Sequence, residues 1–284
     1  MISRPKMTVI TCTYYRPDFL RRVIQSVQKQ VLEDYEHIVV SDHDPFARYV
    51  YEDFKDDKRI KFFEVKGPYK YNLGAAAFNW GISKAKSNYI CYALDDDILY
   101  ENHLSDHYDF LESNKGKVKK VGLSNIDVAV LPNDKRNVEY MLSLSFDNLR
   151  SMKTKKIFFD VLGLSHIKDI VCYKNGKTAE WKFQSDLSGE AEDNEFINKI
   201  NAKLEIKTPT ALKVSWGGHN QKKTNGTDED YYKLLREKLV VDETTSSGFR
   251  MESDTPYVYP ELKNTLYGNT NTIHVTIPKP WWMV

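Results

Sequence analysis

Three consecutive aspartates, Asp95, Asp96 and Asp97, follow six apolar or aromatic residues, Tyr89-Ile90-Cys91-Tyr92-Ala93-Leu94. The run reads as a buried strand, so its end delivers three carboxylates to one place. Adjacent like charges repel, and taking them out of water is costly without a counter-charge. A divalent cation is the simplest counter-charge. Hard oxygen ligands at the carboxyl end of a strand suit magnesium or manganese, and that cation in turn suits a diphosphate. The competing reading is a solvated acidic turn, and the surrounding residues weigh between the two.

The elements that must position these carboxylates alternate. Residues 7–13, Met-Thr-Val-Ile-Thr-Cys-Thr, read as a buried strand. Pro17 and Asp18 start a helix that runs to Gln30, with Phe19, Leu20, Val23, Ile24 and Val27 on one face. Strands are expected at Tyr35–Val40 and Ile60–Val65, a small-residue helix at Gly74–Lys86 and a strand at Tyr89–Leu94. Such alternation predicts an α/β fold with a mostly parallel sheet flanked by helices, and ligands at the strands' carboxyl ends. Three of those ends carry polar groups: Thr13-Tyr14-Tyr15, Asp42-His43-Asp44 and the aspartate triplet.

Beyond residue 118 the pattern is less regular. One or two short strands are expected over Val118–Val130, a strand broken by a turn at Gly163 over Phe158–Tyr173, and a strand at Leu212–Trp216. Helices are expected at Glu190–Ile200 and Asp228–Leu239. The last 45 or so residues, rich in Thr, Asn and Pro, read as an appendage.

The 284 residues suit one large domain with an appendage, and 41% hydrophobic content supports a substantial core. A net charge of +1 gives no field for polyanions, which argues against nucleic acid as a partner. The basic runs at 115–120 and 153–156 read as solvated, with attraction to anionic lipid headgroups as a lesser option. Cys12, Cys91 and Cys172 are too few and too scattered for a disulfide framework or a zinc site. With no signal peptide and no membrane-spanning run, a cytoplasmic setting is expected, with peripheral contact at the cytoplasmic membrane face left open.

Four motifs now resemble glycosyltransferases of the GT-A fold, most closely family 2. Val9-Ile10-Thr11-Cys12-Thr13-Tyr14-Tyr15-Arg16-Pro17 resembles the family's strand–loop opening, with Cys12 where a Pro is usual and Tyr15 where an Asn is usual. Ile38-Val39-Val40-Ser41-Asp42 resembles its Val-Val-Asp-Asp, the first acid replaced by Ser41. Asn72-Leu73-Gly74, Asn79-Trp80-Gly81-Ile82 and Ala85 resemble its Asn-x-Gly signature, with Phe78 in place of an Arg. That signature leads into Asp95-Asp96-Asp97, which resembles the DxD motif. Past residue 100 the likeness thins to Glu190–Phe196 and to His219 after two glycines.

The resemblance implies a metal-dependent inverting transferase that moves a sugar from a nucleotide-diphosphate donor, a UDP-sugar favoured, to a glycan or lipid-linked glycan. It implies a GT-A domain over residues 1–238, with a nucleotide-sugar half at 1–100 and an acceptor half at 101–238, and an appendage at 239–284 packed on the domain. Mn2+ or Mg2+ would sit on Asp97, Asp95 and His219, with Asp96 supporting. Thr13, Tyr14, Tyr15, Arg16 and Asp42 would take the nucleotide. Asn72, Gly74 and Asn79 would shape the diphosphate-sugar pocket. Asp193, with Glu192 and Glu190 as alternatives, would deprotonate the acceptor. Helix-dipole complementation is the competing reading for those three acids.

Rival readings are a retaining transferase on the same fold, a nucleotidyltransferase, and a binding protein without catalysis. A nucleotidyltransferase would want a Gly-rich loop that Thr13–Pro17 lacks. His103 and His107 have the spacing of a zinc pair, but Leu104 stands where a Glu is needed, so a solvated helix flank is expected. The terminal Trp281-Trp282 pair reads as packing on the domain or a second subunit ahead of a membrane anchor.

Overall fold

A computed structural model describes residues 4–13, 16–42, 47–65, 75–116, 121–131, 143–158, 160–169, 171–174, 177–180, 203–215, 240–242 and 274–276. The chain divides into two compact units, residues 1–129 with 150–214, and residues 130–149 with 215–284. The expected domain boundary at 238/239 lies outside the described residues.

The first unit is built on a nine-stranded sheet. Strands β1 (Met7–Thr13), β2 (Tyr35–Asp42), β3 (Ile60–Val65) and β4 (Tyr89–Tyr92) form its parallel part, in the order β3-β2-β1-β4. Helices α1 (Pro17–Gln28), α2 (Ala47–Glu52) and α3 (Ala75–Lys84) lie between them in sequence. Further strands then extend the sheet: β5 (Ile98–Leu99), β6 (Val121–Val130), β7 (Lys153–Phe158), β8 (Leu164–Ile167) and β11 (Leu204–Ser215). Here β8 runs antiparallel to β4 and β6, β7 to β6, and β5 to β11. The sheet is therefore parallel over β1 to β4 and mixed as a whole. Strands β9 (Val171–Lys174) and β10 (Lys177–Glu180) form a separate antiparallel pair. In the second unit, β12 (Val240–Asp242) pairs antiparallel with β13 (His274–Thr276).

Both faces of β1, β2 and β4 are buried, which is why they read as largely apolar runs, while the edge strand β3 is mostly half-buried. Val9, Val39, Cys91 and Ala93 join the core cluster that holds Leu20, Val23 and Ile24 of α1. The interleaved Ile10, Ile38, Val40, Ile90 and Tyr92 join the cluster that holds Ala77 and Phe78 of α3. Helix α1 begins with Pro at its first position and Asp18 in its first turn, which suits a helix start. Among the described residues no helix is long and apolar enough to cross a membrane.

The expected solvated flank at His103 and His107 is wrong. Both residues of α4 (His103–Ser113) are fully buried, with their rings 4.4 Å apart. They share a helix face with Leu104 and Leu111, so the apolar stripe carries them inward. Inside, His103 Nδ1 lies 2.9 Å from the Thr210 hydroxyl, and His107 Nδ1 lies 2.7 Å from the Ser165 hydroxyl. Burial pushes the His103 imidazole down to about 3 and His107 well below its ordinary value, so both stay neutral.

Residues Val161–Gly163 make a short turn of 3-10 helix that leads into β8. A Cβ on Gly163 would lie 2.8 Å from the Ser124 carbonyl oxygen, a backbone atom that cannot swing aside. Gly163→Ala is expected to destabilise the protein by about 1–3 kcal/mol through overpacking. A urea titration should show a lower midpoint at unchanged slope, and an unchanged midpoint would contradict the close packing described.

Candidate active site

The parallel register brings the carboxyl ends of β1, β2 and β4 to one edge. Thr13 pairs with Ser41 of β2, and Ile10 pairs with Tyr92 of β4. Continued three residues along, that second register sets Thr13 level with Asp95. The chain then turns, with the Asp97 amide donating to the Leu94 carbonyl at 3.2 Å, and enters β5. Strand β5 pairs antiparallel with β11 through Ile98–Leu212 and Leu99–Ala211. One further step sets Asp97 opposite Lys213.

The triplet is buried: Asp95, Asp96 and Asp97 are 8%, 6% and 0% exposed, which removes the solvated acidic turn. Its counter-charges come from the protein. The Arg16 guanidinium donates to Asp95 Oδ1 at 3.1 Å and to Asp96 Oδ2 at 3.3 Å. Asp97 Oδ1 accepts from the Val214 amide at 2.9 Å. Lys213 Nζ stands 3.8 Å from Asp97 Oδ2 and donates to Asp160 Oδ2, while Asp160 Oδ1 accepts from the Leu162 amide. Among the described residues Asp97 Oδ2 has no hydrogen-bond partner, while the buried Thr13 hydroxyl faces the Asp95 carboxyl and favours its charged form.

These surroundings set the charge states. Burial pushes the Asp95 carboxyl up to about 6, with Arg16 pulling the other way and Asp96 adding to the rise. Burial likewise holds Asp97 well above the usual carboxylate range, against the pull of the Lys213 ammonium. Burial alone would lower Lys213, but Asp97 and Asp160 more than offset it, so the ammonium keeps its charge. Among the described residues, Asp97 Oδ2 is the one oxygen of these carboxylates that is buried without a hydrogen bond. No three His, Cys, Asp or Glu side chains among the described residues are grouped so as to hold a metal ion, so a cation at Asp97 would need further ligands, such as the oxygens of a diphosphate.

The structure brings together Thr13, Arg16, Asp95, Asp96 and Asp97. Asn79 is half-buried on α3. Tyr14, Tyr15, Asn72, Gly74, Glu190, Glu192, Asp193 and His219 lie outside the described residues, and of Asp42 only the backbone is described, at the end of β2. Sequence reasoning did not single out Lys213 or Asp160. The signal for Lys213 was present: one lysine inside the apolar run Ala211-Leu212-Lys213-Val214, where a lone charge needs a buried partner.

The family model described as glycosyl transferase family 2 matches residues 8–165, more than half of the chain. The chain belongs to that family. Curated relatives include the GalNAc(5)-diNAcBac-PP-undecaprenol beta-1,3-glucosyltransferase of Campylobacter jejuni, 35% identical over 103 residues that cover 36% of this chain and 33% of the relative. Another is the poly(ribitol-phosphate) beta-N-acetylglucosaminyltransferase TarP of Staphylococcus aureus, 31% identical over 113 residues that cover 38% of this chain and 34% of the relative. Each match thus spans about a third of the relative's own length. Among solved structures, S. aureus TarS 1–349 in complex with UDP-GlcNAc aligns with a TM-score of 0.52 at 17% identity, over 81% of this chain and 64% of that one. At that identity the likeness concerns the fold, and the sheet described above is that of the GT-A glycosyltransferases.

Removing Arg16 takes the nearest cation from Asp95. In Arg16→Leu the Asp95 carboxyl should titrate about one pH unit or more above its wild-type value, as expected for an aspartate that loses an adjacent guanidinium. A 13C NMR titration of the side-chain carboxyl carbons reads this, and an unmoved Asp95 would contradict the ion pair.

Proposed function

We propose that this chain transfers a sugar from a UDP-sugar to a hydroxyl of a glycan or lipid-linked glycan, using Mn2+ or Mg2+ and inverting the anomeric centre. The observation that carries the reading is the buried Asp97 oxygen without a hydrogen bond, at a strand end whose three aspartates resemble the family's DxD motif.

When bound, the cation would supply Lewis acidity to the departing diphosphate. Asp97 would hold it through Oδ2, with Asp95 beside it and His219 as a further ligand. Arg16 keeps Asp95 and Asp96 in place, so both carboxylates face the edge where Thr13 ends β1. Tyr14, Tyr15 and Asp42 would receive the base, Asp42 accepting from the N3–H of a uracil. Asn72, Gly74 and Asn79 would line the diphosphate-sugar pocket. Asp193, backed by Glu192, would accept the proton of the attacking hydroxyl.

Support for the donor and the stereochemistry comes from relatives. TarS 1–349 was crystallised in complex with UDP-GlcNAc, and the two curated relatives are named for beta-linked products. Support for a lipid-linked acceptor comes from the undecaprenol-linked substrate in the name of the Campylobacter relative. Such an acceptor would bring the chain to the cytoplasmic face of a membrane.

A panel of UDP-sugars with Mn2+ and candidate acceptors tests the reading. One donor should release UDP in the presence of the metal, and proton NMR should show a β-linked product from its α-linked sugar. Asp193→Asn should cut turnover by about 10²–10⁴-fold, the range for a general base, at nearly unchanged donor affinity. An α-linked product would overturn inversion. Equal turnover in Asp193→Asn would move the base to Glu192 or Glu190, and no UDP release from any donor would overturn the transferase.

A further inference from the structure

The edge of the sheet opposite the triplet takes no part in the catalytic reading. Strands β1 and β4 begin there level with each other, and β8 ends there, since Thr8 pairs with Ile90 and Tyr89 with Ile167. Strand β6 begins there too, with Val121 opposite His166. The segments that meet at this edge are tied together. The Ser87 hydroxyl donates to the Lys6 carbonyl at 2.7 Å, and the Lys168 amide donates to the Asn88 carbonyl at 2.8 Å. A cleft lined by Asn88, Tyr89, Leu111, Lys115, Ile167 and Asp169 carries the edge on to the end of α4.

The charges at this edge are unequal. Arg4, Lys6, Lys84, Lys86 and Lys115 are exposed there, and Lys168 is half-buried. The acids beside them are Glu33, Asp34, Glu112 and Asp169. Of these, Glu112 accepts from the Tyr89 hydroxyl at 2.7 Å and pairs with Lys115. The sequence adds Lys117, Lys119 and Lys120 between Gly116 and the start of β6, with no acid among them. The whole chain carries a net charge of only +1, so the surplus of cations here is offset by acids elsewhere. The basic run that begins at Lys115 is thus part of a larger basic edge.

We propose that this edge docks the protein on an anionic lipid bilayer, with its lysines against the headgroup phosphates. All of the cations but Arg4 are lysines. Compact charges on flexible stems suit a diffuse layer of phosphates, whereas bidentate recognition of a fixed phosphate favours arginine. The choice of a bilayer over another polyanion rests on the lipid-linked acceptor proposed above. Strand β4 runs from this edge to the triplet, so docking here turns the sugar-transfer edge away from the lipid. That edge then stays open to the donor and to the outer sugars of an acceptor. Each lysine near an anionic surface strengthens binding by about fivefold, and the attraction fades beyond a Debye length of about 8 Å at physiological salt.

Sedimentation of the full chain with lipid vesicles tests this without donor or acceptor, so a failure here leaves the transfer chemistry untouched and a failed donor panel leaves this result standing. The chain should bind vesicles of phosphatidylglycerol mixed with phosphatidylcholine at physiological salt, come off at high salt, and leave pure phosphatidylcholine vesicles unbound. Lys86→Ser with Lys115→Ser should weaken binding by about 25-fold. Lys203→Ser with Lys207→Ser removes the same charge near the start of β11, where the Lys207 carbonyl accepts from Asn125 further along β6, and should change binding by less than about twofold. Equal losses in the two pairs would make the effect one of net charge and overturn the proposal. Equal binding to both kinds of vesicle, or binding to neither, would also overturn it. Heparin held through Lys86 and Lys115 while vesicles stay unbound would replace the bilayer with a soluble polyanion. If the serine pair does not fold, Lys86→Gln with Lys115→Gln decides by the same loss.

Discussion

The site depends on one constraint: a carboxylate with no exposure to water must be balanced in charge. Asp97 is that group. An uncompensated charge in such a place costs roughly several kcal/mol, a large share of a domain's net stability, and burial accordingly holds Asp97 well above the usual carboxylate range. The compensation comes from distant parts of the first unit. Arg16, just before α1, takes Asp95 and Asp96; Lys213 and Val214 of β11 take Asp97; and Asp160, before β8, takes Lys213. Folding these elements together and assembling the acidic site are therefore the same event.

The topology makes this possible. Parallel strands β1, β2 and β4 end at one edge, as ligand-binding α/β sheets do. A parallel strand cannot supply the opposite wall at the same edge without a crossover. The two-residue β5 and the antiparallel β11 supply it instead, and their register carries Lys213 past Asp97. The buried polar groups beside β11, His103, His107, Thr210, Ser124 and Ser165, bond among themselves. They fix the strand that carries the counter-charge without adding a charge of their own.

The parallel half was legible because its strands are apolar on both faces and its helices carry clean stripes. β1, α1, β2, β3, α3 and β4 stand within a few residues of where periodicity put them. The antiparallel half was harder. β5 has only two residues, too short for any period, and β11 begins at Leu204, eight residues before the apolar run at Leu212 that marked it. That Thr13, Arg16 and the triplet gather at one sheet edge was readable from strand ends and motif spacing. The ion pairs among them were not, because long-range register decides which lysine meets which aspartate. His103 and His107 show the reverse error: their polarity suggested solvent, while their place on the α4 stripe with Leu104 and Leu111 put them in the core.

The central claim is that the strand-end cluster is a one-cation site next to a nucleotide diphosphate. Crystals grown with UDP and Mn2+ test it most directly, because anomalous scattering at the manganese edge locates the ion without reference to the protein. The account predicts one peak within bonding distance of Asp97 Oδ2 and beside the diphosphate of the bound UDP. UDP bound at the ends of β1 and β4 with no peak at Asp97, or a peak away from the triplet, would contradict it.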